Sequence, residues 1–218
     1  FLLEEMAQYY IKKSEYDLAN DIYKKIVNIE PNNSKALLTS YTILGNQENI
    51  EEEKKILTQI INNENIEELK KQEIILDILT KEDKLMLYYE YIPKLIQDCI
   101  SAHPETAFFY TILADFYALD QQYILARDYY LKAIVFDSNT SILWERAIYM
   151  SLLEQDYKKT IIDSNLAIDL FPLQGNLYYY KGLAEFYEKD YNESIQTLNN
   201  ALLYILDDAG LLSGIYEA

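Results

Sequence analysis

Cys99 and His103 stand four residues apart, a spacing that on a helix brings a thiol and an imidazole to one face. Two chemistries use such a pair: a thiolate nucleophile with its base, and a zinc site. A four-ligand zinc site needs partners, and the chain has no other Cys or His. As a nucleophile the pair is poorly placed. His103 precedes Pro104 at an expected helix end, and Cys99 falls where small side chains recur, so the expectation is a core cysteine and a loop histidine. With 36 Asp and Glu, no carboxylate spacing singles out a general acid. No glycine-rich phosphate loop occurs, and the Asn-x-Ser sequons at Asn32, Asn139 and Asn192 arise easily in an Asn- and Ser-containing chain. The residues therefore point to no catalytic, metal or cofactor-binding site, and an enzyme is disfavoured.

The elements that would carry any other function are marked by composition. The 218 residues include 22 Tyr but only 5 Gly and 4 Pro, too few breakers for a sandwich or barrel with its many turns. The formal charge of -17 repels phosphate backbones, so nucleic acid and anionic membranes are poor partners. An acidic surplus serves solubility as readily as it attracts basic ligands. The single Cys99 excludes an internal disulfide. Apolar runs such as 201–206 are far shorter than the roughly 18 to 20 residues of a membrane-crossing helix. The chain opens "FLLEEMAQ", without an initiator Met or a basic stretch, which does not read as a signal peptide; the expectation is that something was removed upstream or that this is a fragment. Compartment is open between cytoplasm and periplasm.

Self-similarity organises the rest. Segments starting at Ala107, Ser141 and Gly175 align without gaps over 34 residues. The fourth position is large and apolar (Tyr110, Trp144, Tyr178), and the seventeenth is always tyrosine (Tyr123, Tyr157, Tyr191). Small residues recur at the twentieth (Ala126, Thr160, Ser194) and twenty-seventh (Ala133, Ala167, Ala201), where bulk would hold neighbouring helices apart; the eighth is small in two of three (Ala114, Ile148, Gly182). Positions four, seven, eight and eleven make one helical stripe and twenty, twenty-four, twenty-seven and twenty-eight another. The breaks between them, 119–122 and 188–190, have room only for a tight turn, so each unit is expected to be a helical hairpin.

The period extends backwards. Residues 1–33 fit it through Ala7, Tyr10, Tyr16, Ala19, Tyr23 and Pro31 if the unit begins one residue before Phe1. Residues 34–67 fit less well, with Leu37, Tyr41, Leu57 and Ile60 inward. A third unit, 68–106, needs about five extra residues, and Pro93 should kink or break its second helix near Tyr91. Units 107–140, 141–174 and 175–208 follow, and 209–218 starts a seventh or caps the sixth.

This period, with the aromatic at position four, small residues at eight, twenty and twenty-seven, and Pro at thirty-two, resembles the tetratricopeptide repeat (TPR), most clearly in "WERAIYMSLLEQDYKKTIIDSNLAIDLFP". The Asn-, Lys-, Ile- and Tyr-rich texture is similar to multi-repeat TPR proteins of low-GC bacteria. The resemblance implies an all-α, right-handed α-solenoid of about six hairpins forming one domain over 1–218. Thr80, Asp83 and Lys181 depart from the pattern and put the regularity near the third unit in doubt.

The resemblance also implies a concave wall made by the first helices at positions two, five, nine and twelve. Carried over, those positions hold Phe108, Thr111, Asp115 and Ala118, then Ile142, Glu145, Tyr149 and Leu152, then Asn176, Tyr179, Leu183 and Phe186. The implied groove, represented by Phe108, Asp115, Glu145, Tyr149, Tyr179 and Phe186, is aromatic and mildly acidic. Some TPR domains clamp a terminal carboxylate with Lys and Asn at positions five and nine; Glu145 and Asp115 stand there instead. The expected role is a protein-interaction scaffold for a partner peptide or subunit with apolar and basic side chains. Each groove aromatic has a second reading, as packing against a neighbouring first helix or loop. A structural spacer, or a unit self-associating through its terminal faces, is the alternative function.

Overall fold

A computed structural model of the protein describes residues 2–47 and 49–205; the expected partial unit at 209–218 lies outside them. Among the described residues the secondary structure is entirely helical, without a strand. No helix there is long and apolar enough to cross a membrane. The chain divides into two compact units, Phe1–Pro104 and Glu105–Ala218.

In the first unit, α1 (Leu2–Lys12) pairs with α2 (Tyr16–Ile29) and α3 (Ser34–Gln47) with α4 (Ile50–Ile61). Then come α5 (Glu68–Thr80), α6 (Glu82–Tyr88), a 3-10 turn at Tyr89–Tyr91, and α7 (Ile92–Ala102). The break at Tyr91 falls where Pro93 requires it. Pro93 sits in the first turn of α7, where a missing backbone N–H costs no intrahelical bond.

The second unit holds the regular hairpins: α8 (Ala107–Leu119) with α9 (Tyr123–Phe136), α10 (Ser141–Leu153) with α11 (Tyr157–Leu170), and α12 (Gly175–Tyr187) with α13 (Tyr191–Tyr204). Four inter-helix turns share one device. The fifteenth residue of the period, Ser14, Gln121, Gln155 and Lys189, takes a left-handed backbone with φ between 58° and 71°. The next N–H reaches back to the carbonyl of residue eleven, as in Asp156 to Ser151 at 3.0 Å, closing a Schellman-type helix end. Three polar residues therefore suffice to reverse the chain.

Small residues bring the paired helices close. The Ser194 hydroxyl, at position twenty, donates to the Gly182 carbonyl, at position eight, over 2.8 Å. A Cβ on Gly182 would lie 2.6 Å from a Leu198 methyl. The unit around residues 34–67 breaks this rule, because position eight is Tyr41 and position twenty is Glu53. Leu37, Leu57 and Ile60 are buried there as their periodicity requires. Glu53 is only 1% exposed, and Gly45 leaves the space for its carboxyl: a Cβ there would stand 3.3 Å from Glu53 Oε1. Burial pushes the Glu53 carboxyl above the ordinary range, with Tyr88 hydrogen bonding and the Lys84 charge opposing.

Candidate functional site

The first helices of the second unit are joined by side chains 31 residues apart, one period less one helical turn. Arg146 Nη1 on α10 donates to Asp115 Oδ1 on α8 at 2.7 Å. Asn176 Nδ2 on α12 donates to Glu145 Oε2 at 2.8 Å. The Tyr149 and Tyr180 rings lie 5.4 Å apart. In the first unit Lys35 and Glu4 are joined at the same spacing, 3.3 Å apart. Helical geometry explains the recurrence: side chains one turn apart on neighbouring, similarly directed helices point at each other.

These links define what the carried-over groove residues present. Asp115 receives both Arg146 and the Tyr130 hydroxyl. Glu145 is buried, with Asn176 on its carboxylate. Neither acid is a bare charge. Tyr149 is 40% exposed and, with Asp115, lines a cleft of about 410 Å³ whose walls include Tyr123, Arg146, Met150 and Leu153. Tyr179 and Phe186 lie on α12, outside those walls: Tyr179 meets Tyr180, and Phe186 meets Tyr187 and Tyr191 edge-on. Phe108 packs edge-on against Phe109 at the start of α8. Asp115 and Tyr149 are thus brought to one cleft, while the other four occupy separate positions along the first helices.

Arg146 was not among the expected groove residues, because position six lies outside the four positions carried over. The usable signal was the 31-residue spacing between opposite charges, Asp115 and Arg146. The tyrosines at position seventeen also gain a role: Tyr157 stacks on Tyr187 of the following first helix at 4.8 Å, and Tyr123 shares a cleft wall with Leu153, the corresponding residue one unit earlier.

A second cleft, about 330 Å³, lies in the first unit between α3 and α5, lined by Leu38, Tyr41, Thr42, Glu73, Ile74 and Asp77. Lys84 Nζ stands 2.8 Å from Asp77 Oδ2 and 5.4 Å from the Tyr41 ring centre. The Asp77 carboxyl is held below its ordinary range by bonds from Lys81 and Lys84 that outweigh its partial burial.

The Cys99 and His103 pair does not assemble a nucleophile. Cys99 is fully buried, and burial, reinforced by Asp98, pushes its thiol up to about 12. A protonated thiol is a poor nucleophile. His103 caps the end of α7, its N–H donating to the Cys99 carbonyl at 2.8 Å. Its ring meets a residue that sequence reasoning missed, Lys71 of α5.

The chain matches no protein-family model and no curated protein sequence. Among solved structures it is similar to YrrB, described as a TPR protein with an unusual peptide-binding site, at 12% identity over 99% of this chain and 91% of that one, with a TM-score of 0.52. A crystal structure of MamA aligns at 15% identity over 93% of this chain and 90% of that one, with a TM-score of 0.48. The likeness to YrrB, with the hairpins above, defines the class by fold: an all-α helical-repeat protein of the TPR type.

Proposed function

We propose that this chain is a non-catalytic protein-interaction scaffold that holds a partner peptide or subunit on the wall built by its first helices. The observation that supports this reading is the cleft beside Tyr149, an exposed aromatic on a rigid helix flanked by apolar side chains and the Arg146–Asp115 pair. The peptide-binding site of YrrB, a TPR protein, is consistent with that role for this fold. The partner segment carries apolar side chains for the aromatics and basic ones for the chain's overall charge of -17; Asp115, paired with Arg146, contributes little of that attraction. Replacing Tyr149, Tyr179 and Phe186 together with Ala should abolish partner capture while circular dichroism remains helical. Capture at wild-type level by that variant would remove the groove assignment.

A second reading, self-association through a terminal face, is favoured by α1. Its third, seventh and tenth positions, Leu2, Met6 and Tyr9, are 76%, 47% and 56% exposed. The same positions in α3 (Ala36, Ser40, Ile43) and α10 (Leu143, Ala147, Met150) are buried, and the preceding second helices α2 and α9 pack on those first helices. The α1 stripe thus has the pattern of a stacking face. Under this reading the apparent mass by light scattering rises with concentration, and Met6→Glu returns it to the monomer value. A concentration-independent monomer mass for the wild-type chain would remove the self-association reading.

A further inference from the structure

The Lys71 side chain is 2% exposed, yet it ends in an amine. Its described hydrogen-bond partner is the His103 ring: Lys71 Nζ lies 2.9 Å from Nε2. On the other side of that ring, Nδ1 stands 3.5 Å from Glu68 Oε2. One protonation pattern satisfies all three groups. The ammonium donates to a neutral Nε2, and Nδ1–H points at the Glu68 carboxylate. Lys71 and Glu68 are on α5 and His103 ends α7, so the relay ties two helices far apart in sequence. From α7, Cys99 faces Lys71 as a neutral thiol, with Asp98 beside the thiol and bonded to Lys94; burial pushes the Lys71 amine below its ordinary range, while Glu68 and Glu64, the latter in the approach to α5, support the ammonium with their carboxylates.

We propose that Glu68, His103 and Lys71 form an acid-released latch: neutral His103 holds the end of α7 against α5, and protonation of Nε2 removes the acceptor and sets two cations face to face. A buried ammonium that loses its acceptor is costly, and the added like charge increases the cost. The latch therefore opens by separating the end of α7 from α5. Lys70, Glu73, Ile74 and Asp77 of α5 line the cleft shared with α3, so release loosens one wall of that cleft.

The pH window follows from the imidazole. Burial, reinforced by the Lys71 charge and opposed by Glu68, holds His103 below its ordinary value of about 6.5. The folded chain then takes up this proton less readily than the unfolded chain. The contribution of the latch is complete above the ordinary value and is lost as pH falls toward and through the folded one.

His103 is the only histidine, so its ring resonances can be followed by NMR without ambiguity from about pH 8 to about pH 4.5 in the full chain. Hydrogen exchange at the amides from Cys99 to His103, referenced to those of α11, reports the opening. In the wild type the ring should titrate below about 6.5, and the opening should grow by up to about tenfold per pH unit across the window. His103→Gln offers a carbonyl to Lys71 without titrating and should flatten the rise. Lys71→Met removes the opposed cation, so it should also flatten the rise and return the ring toward its ordinary value. A ring titrating at or above about 6.5 in the wild type, or equal rises in wild type and H103Q, overturns the proposal. The H103Q comparison alone decides if K71M does not fold.

Discussion

Several side chains in this molecule bridge neighbouring hairpins. Arg127 and Asp163 show it: they pair through Nη2 and Oδ2 between α9 and α11, only 8% and 14% exposed. A guanidinium is hard to bury, and Arg127 Nε has no hydrogen-bond partner among the described residues. Removing one member is therefore worse than removing both. Asp163→Ala should cost about 3 kcal/mol in urea unfolding, because it leaves the buried guanidinium only the more distant and more exposed Asp128 carboxylate, 3.7 Å away, whereas Arg127→Met combined with Asp163→Leu should recover most of that loss. Equal losses in the single and double variants would mean that the carboxylate acts by packing alone. Tyr149 with Tyr180, and Tyr157 with Tyr187, bridge in the same way using aromatic faces.

For the helices, closeness is the controlling variable. Gly182 lies against Leu198 and accepts a hydrogen bond from Ser194 on α13. Adding one methyl there demands a shift of the Leu198 side chain or of the helix. Gly182→Ala should destabilise by about 1 to 3 kcal/mol, read as a fall in the urea midpoint, against the small gain that Ala brings to an unhindered helix position. A midpoint at or above wild type would show that α12 and α13 have slack between them. Where the small pair is replaced by Tyr41 and Glu53, the first unit answers with Gly45 opposite the carboxyl, while Pro93 divides the later helix that ends in α7. In the same unit Lys71 meets His103, and the local period contains no trace of the pairing.

Taken whole, the chain carries a charge of -17, while within the candidate groove Asp115 is paired with Arg146 and Glu145 is buried beneath Asn176. Long-range attraction and short-range anchoring are thereby separated. Raising salt from about 0.05 M to about 0.5 M, which shortens the screening length several-fold, should slow capture of a basic partner segment about tenfold or more and change its dissociation rate little. A dissociation rate that rises in step would place the decisive charges inside the contact. The hairpin character of the molecule was legible from its chain chemistry: a 34-residue recurrence of large, small and polar residues leaves helices as the only economical arrangement, and Pro93 marks its own break. Such features depend on neighbours within a few residues. The Arg146–Asp115 bridge, the Asn176–Glu145 bond and the Lys71–His103 tie depend on residues 31 or 32 apart meeting across helices, and their partners are chosen by how closely the helices pack and by the turn on which each side chain emerges. Local pattern determined the repeat and its apolar stripes; only the three-dimensional packing decided which charges are free and which are already paired, because burial and distance, not residue type, set the energy of a charge.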